Sequence, residues 1–343
     1  MSWEPSVAII VLNWNGFADT CECLRSLQRV HYANRTVVLV DNGSANNEGS
    51  RLQQLFPEFV LIQNRINRGF SGGNNDGIVW AMKHGFEYIV NLNNDCIVEP
   101  SWLTILMNGV QQTKADFASP RIMYYPDTEL VCSLGDRPLP DGSGHATGGC
   151  SSFQGLNSIY PIFSASGAAS LYSMRCLEAI QIRPGEFFDE LYFAYFEDID
   201  VGMRLQAKSF KGVCVADAVV YHKGTRSAGV RSAFQLFHLE KNRMLNELLN
   251  FPLWLIPIGE LWYVARLCLR SGSRFLQKAS VTGRCAAPAA SLRDRIRAFF
   301  KARLWVLAHA GDILKDRGMR KARGLLNKRI YKHVMWNLFE SIH

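Results

Sequence analysis

Strand-like and helix-like segments alternate through the first third of the chain, and this alternation limits the fold more than any other feature. Val7–Leu12 is an unbroken apolar run of strand length, Asp19–Gln28 has apolar residues at helical spacing, and Thr36–Val40 is rich in β-branched residues. The pattern continues with a helix, two strands and a second helix at Arg51–Phe56, Phe59–Gln63, Glu87–Leu92 and Trp102–Gln112. Such alternation predicts right-handed βαβ units and a mostly parallel, Rossmann-like sheet.

The rest of the chain divides into a loop-rich middle and a helical end. Residues 127–160 are rich in Gly, Ser, Pro and Asp, which predicts long loops that form a lid or a binding insertion. Ordered segments are expected again at Gly167–Ser173, Met174–Ile180, Glu197–Lys208, Gly212–Val215 and Ala218–Tyr221, and from Ser232 the pattern is helical, with a break near 271–290. We therefore expect an α/β domain over residues 1–250 and a helical, basic extension over 251–343.

The net charge of +8 conceals two regions of opposite sign. Residues 261–343 carry 18 Lys and Arg against 4 Asp and Glu, whereas residues 1–260 carry 20 against 26. We expect a basic tail of this kind to bind a polyanion. The candidates are a membrane surface, a nucleic acid and an acidic partner protein. Aromatic and aliphatic residues among the basic ones favour an anionic membrane surface. The alternatives are an ordinary solvated face and a contact between copies of the chain in a homo-oligomer.

The cysteines and the apolar segments favour a cytoplasmic location. The nine cysteines include no C-x-x-C pair, which argues against a zinc or thioredoxin-like site, and we expect reduced thiols. The first residues lack the basic region of a signal peptide. The longest uncharged apolar stretch, Leu248–Gly259, has 12 residues, whereas a membrane span needs about 20. We expect a cytoplasmic protein that lies at the inner face of a membrane.

Polar residues stand directly after several predicted strands. Asp41 ends one strand, Asn93 and Asp95 end another, and His222 follows a third. Ligands of open parallel sheets bind beyond the carboxyl ends of the strands, and side-chain oxygens together with imidazole nitrogen suit hard divalent cations. The alternative for each short segment is a turn, because Asp, Asn and Gly favour tight turns, and for His222 it is a structural role.

Two further segments have the composition of binding or catalytic sites. The glycine-rich stretch 67–75 lets backbone approach a ligand, and the helix that follows favours phosphate, although the stretch matches neither G-x-G-x-x-G nor the P-loop. Glu197, Asp198 and Asp200 open a helix. These carboxylates either complement the positive end of that helix or supply a general base.

Taken in order, these segments resemble the family 2 inverting glycosyltransferases with the GT-A fold, and most closely the bacterial rhamnosyltransferase-like members. The resemblance covers about residues 5–250 and rests on several motifs. They are Val11-Leu12-Asn13-Trp14-Asn15-Gly16, Val40-Asp41-Asn42-Gly43-Ser44, Asn67-Arg68-Gly69-Phe70-Ser71-Gly72-Gly73-Asn74-Asn75, Asn93-Asn94-Asp95, Phe188-Asp189-Glu190, Tyr195-Phe196-Glu197-Asp198-Ile199-Asp200 and Val219-Val220-Tyr221-His222.

The resemblance implies a role for each motif. Asn93 and Asp95 stand where the family has its D-x-D motif for Mg²⁺ or Mn²⁺, with Asn in place of the first Asp, and His222 matches a further metal ligand. Asp198 matches the catalytic base of the Glu-Asp motif that begins with Glu197. The residues that the resemblance assigns to the nucleotide-sugar, with Asp41 at the nucleobase and Arg243 near the diphosphate, are Asn13, Asn15, Asp41, Asn67, Gly72, Asn74, Asn94 and Arg243.

The resemblance therefore predicts an enzyme that moves a sugar from a dTDP or UDP donor to a hydroxyl of a glycan or lipid-linked acceptor, with rhamnose as the first sugar to test. The alternative class is a non-catalytic nucleotide- or nucleic-acid-binding protein that uses the basic tail. No nucleic-acid-binding motif is present in the sequence, and the acidic region carries the other motifs. An oxidoreductase lacks its G-x-G-x-x-G, and a processive polysaccharide synthase lacks its Q-x-x-R-W motif and membrane spans.

Overall fold

The computed structural model describes residues 4–153, 158–224, 232–273 and 290–337. Its first part is a parallel half-sheet in the strand order β3-β2-β1-β4, with helices between the strands. The elements are β1 (Val7–Asn13), α1 (Phe17–Gln28), β2 (Arg35–Asn42), α2 (Glu48–Leu55), β3 (Val60–Asn64), α3 (Gly69–Lys83) and β4 (Tyr88–Asn93). The predicted α/β alternation is confirmed, and it brings the ends of β1, β2 and β4 to one edge.

The remaining strands extend this sheet with mixed polarity. Antiparallel β11 lies between β4 and β6, and β12 runs parallel to β6 on the other side. β5 and β10 pair with β12, β7 pairs with β6, and β8 and β9 form a separate hairpin. These strands are β5 (Cys96–Val98), β6 (Phe117–Tyr124), β7 (Val131–Ser133), β8 (Asp136–Pro138), β9 (Gly144–Ala146), β10 (Ile159–Pro161), β11 (Ala169–Ser173) and β12 (Gly212–His222).

Two apolar layers enclose the sheet. One face packs against α1 and against α4 (Trp102–Thr113), with Leu24 and Leu106 among its buried residues. The other face packs against α3, α5 (Met174–Ile180) and α6 (Glu197–Ala207), with Ile78 and Leu177 buried there. Because both faces are covered, the central strands are apolar on both sides, as the unbroken runs in the sequence indicate.

The middle of the chain contains more strand than its composition predicts. Three short strands, β7 to β9, lie within residues 127–160, where the composition predicts only long loops, and a fourth, β10, begins at Ile159. The sequence pattern does not predict the central strand β6 either. Pro120 interrupts its apolar run, and proline has no backbone N–H to donate to a neighbouring strand. Pro120 is accommodated opposite Val215, where β12 bulges before its pairing resumes at Val219. The two strands that were expected at Gly212–Val215 and Ala218–Tyr221 are one continuous strand, β12, with a bulge between them.

The glycine-rich stretch forms part of helix α3 and is not an extended loop. α3 begins at Gly69, and its glycines pack directly on the sheet. A Cβ at Gly73 would lie 2.4 Å from Leu12 Cδ1, and one at Gly77 would lie 2.6 Å from Ile10 Cγ2. These glycines let the helix approach β1 closely, a packing role that the sequence analysis did not predict.

Helices account for most of the described C-terminal part. They are α7 (Ala233–Asn250), α8 (Leu255–Ser273), α9 (Leu292–Ala308) and α10 (Ala310–Ala322), followed by a 3-10 turn at Ile330–Lys332. α9 and α10 pack against α7. Most of the break predicted near 271–290 lies outside the described residues. Among the helices that are described, none is both long enough and apolar enough to span a membrane.

The cysteines only partly follow the prediction of reduced thiols. Seven are free, and five of these are buried among apolar or backbone neighbours. Cys150, in the half-buried loop after β9, is disulfide-bonded, which contradicts the prediction at that position. Its loop lies outside the apolar layers that enclose the buried thiols. Cys285 lies outside the described residues.

Candidate active site

A cleft of about 480 Å³ brings together three of the segments that the sequence analysis singled out. Asn93 at the end of β4, His222 at the end of β12, and Glu197 and Asp198 at the start of α6 all line it. Its volume lies within the range of pockets that hold small ligands. The apolar part of its wall is formed by Phe70, Ala168, Ala194, Tyr195, Phe196, Ile199 and Leu239.

Asp95 and His222 meet at one end of the cleft because β5 pairs with the last residues of β12. The pairing sets Cys96 opposite His222, and Asp95 Oδ1 lies 3.2 Å from His222 Nε2. Burial lowers the pKa of His222, but the hydrogen bond and charge of Asp95, helped by Cys132, outweigh it and raise that pKa to about 10. Burial likewise raises the pKa of Asp95, and the bond to His222 reverses this and holds it below its usual value.

The donor set at this end fits a hard divalent cation. Asp95, Cys96 and His222 place one ligand atom each within 4.8 Å of one another. Cys96 does not fit as a ligand, because its thiol is fully buried, donates to the Ala168 carbonyl and has its pKa raised well above the usual value by burial. What remains is the carboxylate of Asp95, the amide of Asn93 and the ring of His222, which releases its proton when it binds a cation. This set suits Mg²⁺ or Mn²⁺.

Asp198 faces the cleft with both carboxylate oxygens held by backbone. Gly167 N–H donates to its Oδ2 over 2.9 Å, and Ile199 N–H donates to its Oδ1 over 2.8 Å. Burial raises the pKa of Asp198, although these backbone hydrogen bonds oppose the shift. A half-buried, oriented carboxylate with a raised pKa has the properties of a general base.

The other two acids of the α6 start have different surroundings. Glu197 lines the cleft, its Oε2 has no hydrogen-bond partner among the described residues, and burial followed by the charge of Asp198 raises its pKa well above normal. Asp200 points away from the cleft into a buried network with Arg204 and Arg320. Burial raises the pKa of Asp200, but the two guanidinium groups outweigh it and hold it far below its usual range.

The segment before α6 has an unusual backbone, and α7 holds it in place. Phe193, Tyr195 and Phe196 all have φ between 62° and 73°, a region that costs free energy for residues other than glycine. The amide of Asn242 donates to the carbonyls of residues 192, 194 and 195 over 3.1, 2.7 and 2.5 Å. Lys241 donates to the carbonyl of residue 192 as well. The strained turn that places Glu197 and Asp198 is therefore clamped from α7.

A second polar cluster lies at the ends of β1 and β2. Asn13 Nδ2 donates to Asp41 Oδ1 over 3.0 Å, and Thr20 Oγ1 donates to Asn13 Oδ1 over 2.7 Å. Asn94 Nδ2 donates to Thr20 over 2.8 Å, and Asn15 Oδ1 accepts from the N–H of Ala45. Four of the residues that the resemblance assigns to the nucleotide-sugar thus lie in one connected neighbourhood.

The remaining assigned residues lie elsewhere. Asn67 accepts from the Gly69 N–H over 2.8 Å at the start of α3, and Gly72 and Asn74 are buried inside that helix. Arg243 is buried on α7, where its guanidinium donates to Glu260 over 2.8 Å and lies 3.7 Å from the centre of the Tyr263 ring. The structure does not bring these four residues to the cleft.

The sequence analysis did not identify two residues that contact the site. Asp136 on β8 lines the cleft beside Asp198, and Asn242 clamps the strained turn. Asp136 stands in the Gly- and Pro-rich middle that we assigned to loops. A signal for Asn242 exists, because it is a polar residue on the buried face of α7.

Known proteins share this fold and these sequence segments. The family model for glycosyl transferase family 2 matches residues 6–180, more than half of the chain. Low-salt glycan biosynthesis hexosyltransferase Agl10 of Haloferax volcanii is 24% identical over 253 residues, which are 70% of this chain and 74% of Agl10. Glycosyltransferase GlyG of Streptococcus pneumoniae serotype 4 is 26% identical over 128 residues, which are 36% of this chain and 41% of GlyG.

A solved structure extends the likeness over most of the described fold. The crystal structure of GalNAc-T7 with UDP, GalNAc and Mn²⁺ superposes with a TM-score of 0.55 at 13% identity. The match covers 81% of this chain and 53% of the GalNAc-T7 chain, so this chain corresponds to about half of it. At this identity the likeness concerns the fold, which agrees with the predicted GT-A architecture.

Proposed function

The chain belongs to glycosyl transferase family 2, and from that premise we propose that it is an inverting, metal-assisted transferase with Asp198 as its general base. The observation that carries the proposal is that one cleft is lined by Asp198 and by His222, whose Nε2 lies 3.2 Å from Asp95 Oδ1. A base and a cation site on the same cleft supply the two needs of sugar transfer from a diphosphate, which are a deprotonated acceptor and a stabilised leaving group.

In the proposed reaction Asp198 accepts the proton of the acceptor hydroxyl. The bond between the acceptor oxygen and the anomeric carbon forms while the bond to the diphosphate breaks, and the electron pair leaves with the diphosphate. A single displacement of this kind inverts the anomeric carbon. Asn93, Asp95 and His222 would hold Mg²⁺ or Mn²⁺, which offsets negative charge on the leaving diphosphate when bound.

We assign the nucleotide of the donor to the cluster around Asp41. Its carboxylate, together with Asn13, Asn15 and Asn94, stands at the carboxyl ends of the parallel strands, where ligands of such sheets bind. The names of the relatives favour a hexose as the sugar and a glycan as the acceptor, and the UDP bound to GalNAc-T7 supports a UDP or dTDP donor. Rhamnose and a lipid-linked acceptor remain the first compounds to test.

We also propose that the protein lies on an anionic membrane through the outer face of α9. Large apolar side chains on that helix are exposed, including Phe300 at 60%, Leu304 at 67% and Leu307 at 72%. Exposed basic side chains flank them, among them Arg297 and Lys301. Apolar residues with a basic border are the pattern of helices that lie in a membrane interface, the surface to which a lipid-linked acceptor belongs.

The first test is a panel of nucleotide sugars with and without Mn²⁺, measured by thermal shift and by donor hydrolysis. We expect one donor to stabilise the wild type and to be hydrolysed in a metal-dependent way. In Asp198→Asn we expect turnover to fall by about 100-fold or more while donor binding is retained, since only the base is lost. Asp217→Asn is the control, because Asp217 is an exposed carboxylate on β12 outside the cleft. Absence of binding by every donor under every metal condition contradicts the proposal.

A further inference from the structure

Asp136 is a buried carboxyl group that touches the proposed base. It is 8% exposed, lies on β8 and lines the cleft together with Asp198. A hydrogen bond between the two carboxyl groups is among the causes that raise the pKa of Asp136 and oppose the rise in the pKa of Asp198. Ser133 Oγ donates to Asp136 Oδ1 over 2.9 Å and holds the side chain from the other side.

Hydrogen bonds through Ser164 join the backbone segments that carry the two carboxyl groups. The N–H of Asp136 donates to the Ser164 carbonyl over 2.9 Å, and the N–H of Ser164 donates back to the Asp136 carbonyl over 3.2 Å. Ser164 Oγ in turn donates to the backbone carbonyl of Asp198 over 2.6 Å. A Cβ at Gly202 would lie 2.5 Å from Ser164 Cβ, so α6 and this segment are in close contact. The pair therefore belongs to the packed frame of the site.

A hydrogen bond between two carboxyl groups requires a proton, because carboxylates only accept. The neighbouring groups differ in kind. Asp198 accepts two backbone N–H groups, from Gly167 and Ile199, whereas the partners of Asp136 are the hydroxyls of Ser133 and Ser166. A backbone N–H only donates and so favours a charged partner, whereas a hydroxyl can also accept from a protonated carboxyl group, so the negative charge belongs on Asp198 and the proton on Asp136.

We propose that Asp136 is a positioning residue that keeps this proton and donates it in a hydrogen bond to Asp198, so that a free lone pair of Asp198 faces the acceptor. The inference rests on the proposed function for its catalytic meaning. In the reaction the acceptor O–H bond breaks and an O–H bond to Asp198 forms, while the Asp136 proton stays in place. The pair carries one negative charge before the proton transfer and none after it. Two negative charges, which would be costly in a buried site, are never present together.

The electrostatic surroundings agree with this assignment. Burial, followed by the charge of Asp198, raises the pKa of Asp136 well above its usual value. The other titratable side chains on the cleft wall are Glu197 on α6, His145 on β9, Tyr195 before α6, and Cys132 and His222 at the metal end. None of these is a lysine or arginine that could neutralise a second carboxylate beside Asp198.

The kinetic test compares Asp136→Asn with Asp136→Ala in donor hydrolysis over a range of pH. We expect Asp136→Ala to lower kcat by about 100-fold with little change in the KM for the donor, since Asp198 loses its orientation. Asp136→Asn still donates a hydrogen bond, so it should retain about tenfold more activity than the Ala variant. The wild type should lose activity at low pH, when Asp198 is protonated, and again at high pH, when Asp136 ionises. The Asn variant should keep the acidic limb and lose the alkaline one.

A second measurement does not depend on turnover. The infrared difference spectrum between wild type and Asp136→Asn at neutral pH should show the loss of a protonated carboxylic acid band. The control is Asp141→Asn, which removes another buried aspartate from the β8–β9 hairpin, where it pairs with Arg266 and should lose a carboxylate band instead.

The two measurements separate the two proposals. If Asp136→Asn loses a carboxylate band, or if its pH profile has the same shape as that of the wild type, the positioning role is overturned. If the wild type hydrolyses no nucleotide sugar but the acid band is found, the proton on Asp136 stands and the proposed function fails. Should the Ala variant not fold, the isosteric Asn variant and its spectrum decide the outcome.

Discussion

At the scale of single residues, the fold decides which side chain His222 contacts. It ends a strand, and by itself it could be a structural histidine. The pairing of β5 with β12 places it 3.2 Å from Asp95, at the end of a cleft that also holds Asp198. The two residues are far apart in sequence, and each satisfies the other's hydrogen-bonding and charge requirements in a buried place.

His222→Ala should weaken the binding of Mn²⁺ at least about tenfold, because an imidazole donor is removed and Asp95 loses its orienting partner. The free Mn²⁺ concentration, followed by electron paramagnetic resonance during a titration, measures this directly. His31→Ala, at an exposed histidine, is the control and should bind as the wild type does. Equal Mn²⁺ affinity in all three proteins would remove His222 from the proposed cation site.

At the scale of elements, α10 is tied to the core of the catalytic part. Arg320 is fully buried and donates to Asp189, to Asp200 and, over 2.8 Å, to Asn250 Oδ1. Asp189 precedes the strained turn and Asp200 lies on α6, so one side chain of α10 holds both segments that frame Asp198. The domain boundary at residue 250 remains a prediction, but the two parts share this buried charge network.

Arg320→Met should lower the free energy of unfolding by about 3–5 kcal/mol, because it removes the guanidinium that is paired with buried Asp189 and leaves Asp200 with its Arg204 partner alone. Urea unfolding followed by circular dichroism measures the change. Lys321→Met is the matched control, since Lys321 is exposed on the same helix and should change stability by less than about 0.5 kcal/mol. A similar decrease in the free energy of unfolding in both variants would mean that the buried charge network does not stabilise the fold beyond any other charge on α10.

At the scale of the whole molecule, an acidic catalytic part and a basic helical part define two faces with different expected partners. The cleft belongs to the first, and the exposed face of α9 belongs to the second. Point substitutions on that face test it without disturbing Arg320. The nucleic-acid alternative predicts binding through the same basic residues but not through the apolar ones.

The double substitution of Phe300→Ser and Leu304→Ser should weaken binding to anionic liposomes by about tenfold or more, since two exposed apolar side chains no longer enter the interface. Liposome co-sedimentation measures it, with neutral liposomes as a second surface. Leu55→Ser on α2, where the side chain is 54% exposed, is the control. Unchanged liposome binding in the double variant, or strong salt-sensitive binding to DNA that the substitutions leave intact, would contradict the membrane proposal.

The sequence by itself determined the α/β class, the first parallel strands and the segments that carry Asp41, Asp95 and Asp198. These are local properties. The spacing of apolar residues predicts strands and helices, and the polar residues that directly follow a predicted strand can be read from the sequence. Ordered motifs added the family, and the family match agrees with it. The spacing of apolar residues also predicts the helices of the C-terminal part.

Only the tertiary structure decided which of those residues meet. It joined Asp95 to His222, brought Asp136 to the same cleft as Asp198, and placed Arg243 beside Glu260, away from the cleft. It also showed that the glycines of α3 serve close packing on the sheet. The physical reason is that contacts between distant segments depend on strand order, register and bulges, which hydrophobic periodicity does not encode. Pro120 in β6, accommodated opposite a bulge in β12, is the clearest instance.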